Sequence, residues 1–78
     1  MDRSIDNSSE YINLLKKLTP REVEVIEEVA RGRTSKEIGE ILNLSHRTVQ
    51  KYRQNICKKL GINGYRALFN WCLEHMKD

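Results

Sequence analysis

The chain has 78 residues, of which 32% are charged and 38% hydrophobic, with a single proline, so it is expected to form one small helical domain. No apolar run approaches the ~18–20 residues needed to span a bilayer, and the start, Met1 to Asn7, lacks the apolar core of a signal peptide, so a cytoplasmic chain with Cys57 and Cys72 as reduced thiols is expected. The net charge of +3 hides an asymmetry: residues 1–30 carry four basic and seven acidic side chains, residues 31–78 ten basic and four acidic, which points to a polyanionic partner for the second half.

Residues 1–17 read as a flexible N-terminal arm holding at most a short helix, opened at Ser8 to Tyr11 with Tyr11, Leu14, Leu15 and Leu18 on one side. Residues 18–78 read as the folded domain. Its first start signal is Leu18-Thr19-Pro20-Arg21-Glu22-Val23. Thr19 and Glu22 form a capping box, Pro20 occupies the first helical position where no N–H is needed, and Leu18 against Val23 makes a hydrophobic staple. Val23, Ile26, Val29 and Ala30 are expected to be buried, with Glu24, Glu27 and Glu28 outside and Gly32 as the stop.

A second capping box, Thr34-Ser35-Lys36-Glu37, opens a short helix whose expected inward residues are Ile38, Ile41 and Leu42. Gly39 within that helix costs about 1 kcal/mol against Ala, and a close approach from beyond the following turn would explain it. Asn43-Leu44-Ser45 makes the turn, with Leu44 inward and Ser45 as N-cap. A third helix follows from His46 to Leu60, stopped by Gly61 with Ile62 as the apolar residue after it. A fourth runs from Tyr65 to about Met76. No strand pattern occurs, so the fold class is all-α: a compact four-helix domain with a helix-turn-helix at its centre.

Between Glu40 and Glu74 there is no acidic residue. On a wheel of ~100° per residue, Ser45, Val49, Ile56 and Leu60 of the third helix share one sector, with Tyr52 at its border. Arg47, Gln50, Lys51, Gln54 and Lys58 lie opposite. An ordinary solvated face mixes both signs; this one is cationic and amide-rich. Guanine edges in the major groove offer acceptors to Arg or Lys, and adenine offers a donor–acceptor pair to Gln. The start of a recognition helix is the part that reaches bases. Arg47, Gln50, Lys51 and Gln54 are therefore the candidate base readers. Lys58 and Lys59, further along, are candidates for phosphate, as are Thr48, Tyr52 and Arg53 at the flanks and Ser35 and Lys36 at the start of the second helix.

Three stretches in register carry a family likeness: Leu18-Thr19-Pro20-Arg21-Glu22 with Val25-Ile26; Gly32 with Thr34-Ser35-Lys36-Glu37-Ile38-Gly39; and Ser45, Arg47-Thr48-Val49, Lys51, Arg53, Asn55-Ile56 and Lys58-Lys59-Leu60-Gly61-Ile62. Over roughly residues 18–74 the chain resembles the LuxR/FixJ/GerE-type DNA-binding domain. The resemblance implies a bacterial transcription regulator, a four-helix domain with its third helix in the major groove of double-stranded DNA, and a homodimer paired through the fourth helix. By position it implies base contacts from Gln50, Lys51 and Gln54 and phosphate contacts from Lys36, Thr48 and Lys58. Tyr52 stands where many members have His, and Gly64-Tyr65-Arg66-Ala67 departs from the usual opening of the fourth helix. Many such domains end longer proteins; a stand-alone reader and the effector part of a longer regulator both fit. RNA polymerase is a further candidate partner, and a sigma-factor-like promoter-binding module is the neighbouring alternative.

The fourth helix carries more apolar surface than one core contact requires. Phe69, Trp71, Cys72 and Leu73 are the candidate dimerisation residues, against the plainer reading of a terminal helix over a small core. An adaptor that uses only this helix is the alternative from another functional class. Cys72 and His75 have one-turn spacing, but His46 and Cys57 lie eleven apart on one helix and do not converge with them, so no metal site is expected. No nucleophile elbow or phosphate-cradling Gly-rich loop occurs, and neither catalysis nor a cofactor is expected.

Overall fold

The computed structural model describes residues 12–13, 15–64 and 66–75. The arm over residues 1–7, the helix start at Ser8 to Tyr11, Leu14, Tyr65 and the end at Met76 fall outside them. Among the described residues there are four helices: α1 Pro20–Ala30, α2 Ser35–Leu42, α3 His46–Leu60 and α4 Ala67–His75, with no strand. Ahead of α1, Ile12, Asn13 and Leu15 are helical, and the Lys16 amide donates to the Ile12 carbonyl at 3.0 Å.

Each of the first three helices begins and ends as local chemistry requires. Both capping boxes are formed: the Glu22 amide donates to Thr19 Oγ1 at 3.2 Å and the Thr19 amide to Glu22 Oε1 at 2.9 Å, and Glu37 and Thr34 exchange the same pair. Such caps satisfy amides that a helix start leaves without partners. The three ends share one device, a left-handed residue after the last turn: Gly32, Asn43 and Gly61, with φ of 85°, 61° and 72°. The next amide then reaches back, Arg33 to Glu28, Leu44 to Gly39 and Ile62 to Cys57, at 2.8–3.2 Å.

α1 packs between α3 and α4, and α2 lies against α3. The core is Leu18, Val25, Ile26, Val29, Ile38, Val49, Ile56, Leu68, Trp71 and Cys72. It departs from the sequence expectation in three places. Val25 is fully buried, while Val23 and Ala30 are half-buried, because α1 is covered from two sides rather than one. Ile41 is 48% exposed: α2 turns Ile38 and Gly39 inward, and Ile41 falls on its outer flank. Trp71 and Cys72, expected from the sequence to face a dimer partner, are buried at 7% and 2% exposure and instead complete this chain's own core. The Cys72 thiol lies 3.8 Å from the Ile26 carbonyl.

Gly39 packs against the turn that joins α2 to α3. A Cβ placed there would lie 2.5 Å from the Leu44 carbonyl oxygen. The same Leu44 donates its amide to the Gly39 carbonyl at 2.8 Å. The hydrogen-bonded turn and the missing side chain together set how closely α3 follows α2.

Candidate nucleic-acid interface

α3 is the element on which the candidate site is built. Its N-cap Ser45 accepts the Thr48 amide at 3.1 Å, and its hydroxyl donates to Thr48 Oγ1 at 2.9 Å. That leaves the Thr48 proton to donate outward, from an exposed position at the helix start. α1 and α2 each hold a Glu in the first turn, whereas α3 holds none. The positive end of its dipole is therefore uncompensated within the helix.

Val49 and Ile56 are fully buried, Tyr52, Arg53, Cys57 and Leu60 are half-buried, and Arg47, Gln50, Lys51, Gln54 and Lys58 are exposed. The four candidate base readers come together. Arg47, Gln50, Lys51 and Gln54 line one shallow open hollow with His46, whose ring Nε2 lies 3.3 Å from Gln50 Nε2. Gln50 and Gln54 also border a second hollow beside them, with Ser35, Arg53 and Lys58. No carboxylate lines either one. Lys36 is exposed one residue beyond Ser35.

Lys59 is placed elsewhere. Its Nζ lies 2.8 Å from Glu22 Oε1, and the Glu22 side chain is 5% exposed. Lys59, expected from the sequence to meet phosphate, is instead tied to the buried Glu22 at the start of α1. Burial works to raise the Glu22 pKa, but hydrogen bonds from Lys59 and the Thr19 amide more than offset it, so the carboxyl is held below its ordinary value. A pair 37 residues apart in sequence left no local signal, and Glu22 read only as a capping residue.

Burial raises both thiols, Cys57 above its ordinary value and Cys72 to about 11. Neither is a thiolate near neutral pH. His75 stacks on Trp71 with ring centroids 4.6 Å apart. Among the described residues, no three His, Cys, Asp or Glu side chains gather where a metal ion could sit. Nor is any helix among them long and apolar enough to cross a membrane.

Comparison with known proteins gives the same arrangement a family. The description "Bacterial regulatory proteins, luxR family" (GerE) matches residues 16–72. The chain belongs to the luxR family of bacterial regulatory proteins. It is 40% identical over 58 residues to the transcriptional regulatory protein MctR of Rhizobium johnstonii, covering 74% of this chain and 27% of that protein. It is 32% identical over 68 residues to the transcriptional regulatory protein TdiR of Thauera aromatica, covering 87% of this chain and 30% of that one. To the transcriptional activator protein VanR of Vibrio anguillarum it is 46% identical over 52 residues, 65% of this chain and 22% of that protein. The chain thus spans less than a third of the length of these relatives. No solved structure gives a significant match.

Proposed function

We propose that this luxR-family chain binds double-stranded DNA sequence-specifically and regulates transcription, with α3 in the major groove and residues 18–78 as the binding unit. One observation carries the reading: Arg47, Gln50, Lys51 and Gln54 share an open, carboxylate-free face of a helix that a tight turn seats on α2. Arg and Lys match guanine acceptors and Gln matches adenine. Thr48, Ser35, Lys36, Tyr52, Arg53 and Lys58 border that face and suit phosphate oxygens, which position the protein without reading sequence. Such a regulator works in the cytoplasm, and RNA polymerase is the further partner on which it acts.

Pairing through α4 fits what the core leaves outside. Leu73 is 50% exposed and Phe69 is half-buried beside it. A two-fold contact there would present two α3 helices to two half-sites.

The test is selection from a pool of randomised duplexes, followed by titration of variants on the recovered site and on random duplex. Gln54→Ala and Lys51→Ala should each cost roughly 1–3 kcal/mol on the selected site and little on random DNA. Lys58→Ala should weaken both alike and lower the salt slope by about 0.9. Equal losses on both duplexes for all three variants would contradict this division of roles. A recovered site with two symmetric halves would support the dimer, and a single asymmetric half would count against it.

A further inference from the structure

We propose that Arg33, Arg53 and Arg66 form a second phosphate-binding arm, which extends the DNA contact from the base-reading face around the start of α2 to the start of α4. The inference rests on the DNA-binding reading above and adds two residues, Arg33 and Arg66, that lie outside α3.

The geometry is a continuous track. The two hollows along α3 share Gln50 and Gln54. A third hollow shares Ser35 and Arg53 with the second of them and adds Arg33, Thr34 and Arg66 at its rim, with Val29, Gly32 and the half-buried Phe69 completing the lining. No Asp or Glu lines any part of the track, although the chain has 11 acidic residues. Arg53 is the pivot, since it borders both the second and the third hollow and is half-buried. Neither Arg53 nor Arg66 forms an ion pair among the described residues.

Arg33 does have a partner, and its form matters. Its Nε lies 3.4 Å from Glu28 Oε1, and Glu28 also holds Arg31 at 3.0 Å. One long contact at Nε orients the Arg33 side chain and leaves the terminal guanidinium nitrogens to donate elsewhere. Thr34 Oγ1 accepts the Glu37 amide at 3.1 Å, so its hydroxyl proton is likewise left to donate. Three guanidiniums and a hydroxyl around one hollow match the oxygens of a phosphodiester, which arginine binds with two parallel hydrogen bonds. The DNA backbone is the occupant, because the track runs unbroken from the face proposed to read its bases.

The experiment measures salt-dependent affinity of the full chain for the selected duplex and for a random duplex of equal length. Arg33→Ala, Arg53→Ala and Arg66→Ala should each weaken both duplexes by a similar factor, roughly three- to tenfold near physiological salt, and Arg33→Ala with Arg66→Ala should reduce the salt slope by roughly 1.8. Arg31→Ala removes the same charge from an exposed residue off the track and should leave the slope nearly unchanged. Arg33→Lys and Arg66→Lys keep the charge and should recover most of the slope, which separates lost phosphate contact from a fold that has loosened. Slopes for Arg33→Ala and Arg66→Ala equal to that of Arg31→Ala, on a protein that still binds DNA, would overturn this arm and leave the base-reading face standing. If the unaltered chain binds no duplex at low salt, the DNA reading itself falls and the arm with it.

Discussion

Gly39→Ala should destabilise the fold by roughly 3 kcal/mol or more, although Ala is the better helix former by about 1 kcal/mol. The new Cβ would sit 2.5 Å from the Leu44 carbonyl oxygen, with the Leu44 carbonyl carbon and the Ser45 carbonyl carbon at 3.6 and 3.7 Å. These are backbone atoms of the turn, so no side-chain rotation relieves the contact. Relief requires α2 and the turn to separate, which breaks the Leu44 to Gly39 hydrogen bond and tilts α3 off its seat. A loss of that size is a large share of the total for so small a domain and would lower the melting temperature by roughly 12–24 °C. Thermal unfolding of Gly39→Ala beside Glu40→Ala, a change at an exposed neighbour, checks it. A variant as stable as the parent would mean that the turn does not approach α2 as described.

The pair of buried Glu22 and exposed Lys59 should give the second large effect, with a pH signature. Lys59→Met leaves a carboxylate with 5% side-chain exposure whose remaining stabilising partner is Thr19, through its amide and side chain. The expected cost is roughly 2 kcal/mol at pH 7, below the ~3–5 kcal/mol for a fully buried pair because the lysine itself is 37% exposed and partly screened. The sign with pH follows from the direction of the shift. In the parent chain the Glu22 pKa is lowered in the fold, so its contribution is full above the ordinary carboxylate range and is lost as pH falls through the folded value. In Lys59→Met burial has less opposition and the folded pKa rises, so acidification removes a buried charge and recovers stability for the variant alone. The gap between the two proteins should therefore narrow from pH 7 towards pH 3. Urea unfolding at both pH values measures it; a gap that stays constant would show that the pair is not electrostatic in the way the geometry implies.

What the sequence made legible, and what it did not, divides along the range of the interactions. Caps, stops and the turn are local: Thr19 with Glu22, Thr34 with Glu37, Ser45 before His46, Gly61 before Ile62. Each is a pairing of near neighbours whose chemistry is complete within one helical turn, and each is present in the structure. The face carrying Arg47, Gln50, Lys51 and Gln54 was legible for the same reason, since one helical period decides it. Trp71, Cys72 and Ile41 were misplaced because their burial depends on which neighbour covers which flank. Periodicity on α4 cannot tell core from partner contact, since both want apolar surface. Lys59 looked like one more basic residue beside Lys58 until the fold brought it to Glu22. Neither Arg33 nor Arg66 was assigned a phosphate contact, because the hollow they share is assembled from α1, α2, α3 and α4 together, and no window of sequence contains it.

Whether α3 is the DNA-reading element is decided by following the backbone amides of the isotopically labelled chain by NMR as the selected duplex is added. The largest shifts are expected along Arg47, Gln50, Lys51 and Gln54 and at Ser35 and Thr48, with the outer face of α1, Glu24 and Glu27, nearly unmoved. Shifts confined to α4 around Phe69 and Leu73, with the α3 face unchanged at saturation, would contradict that role for α3.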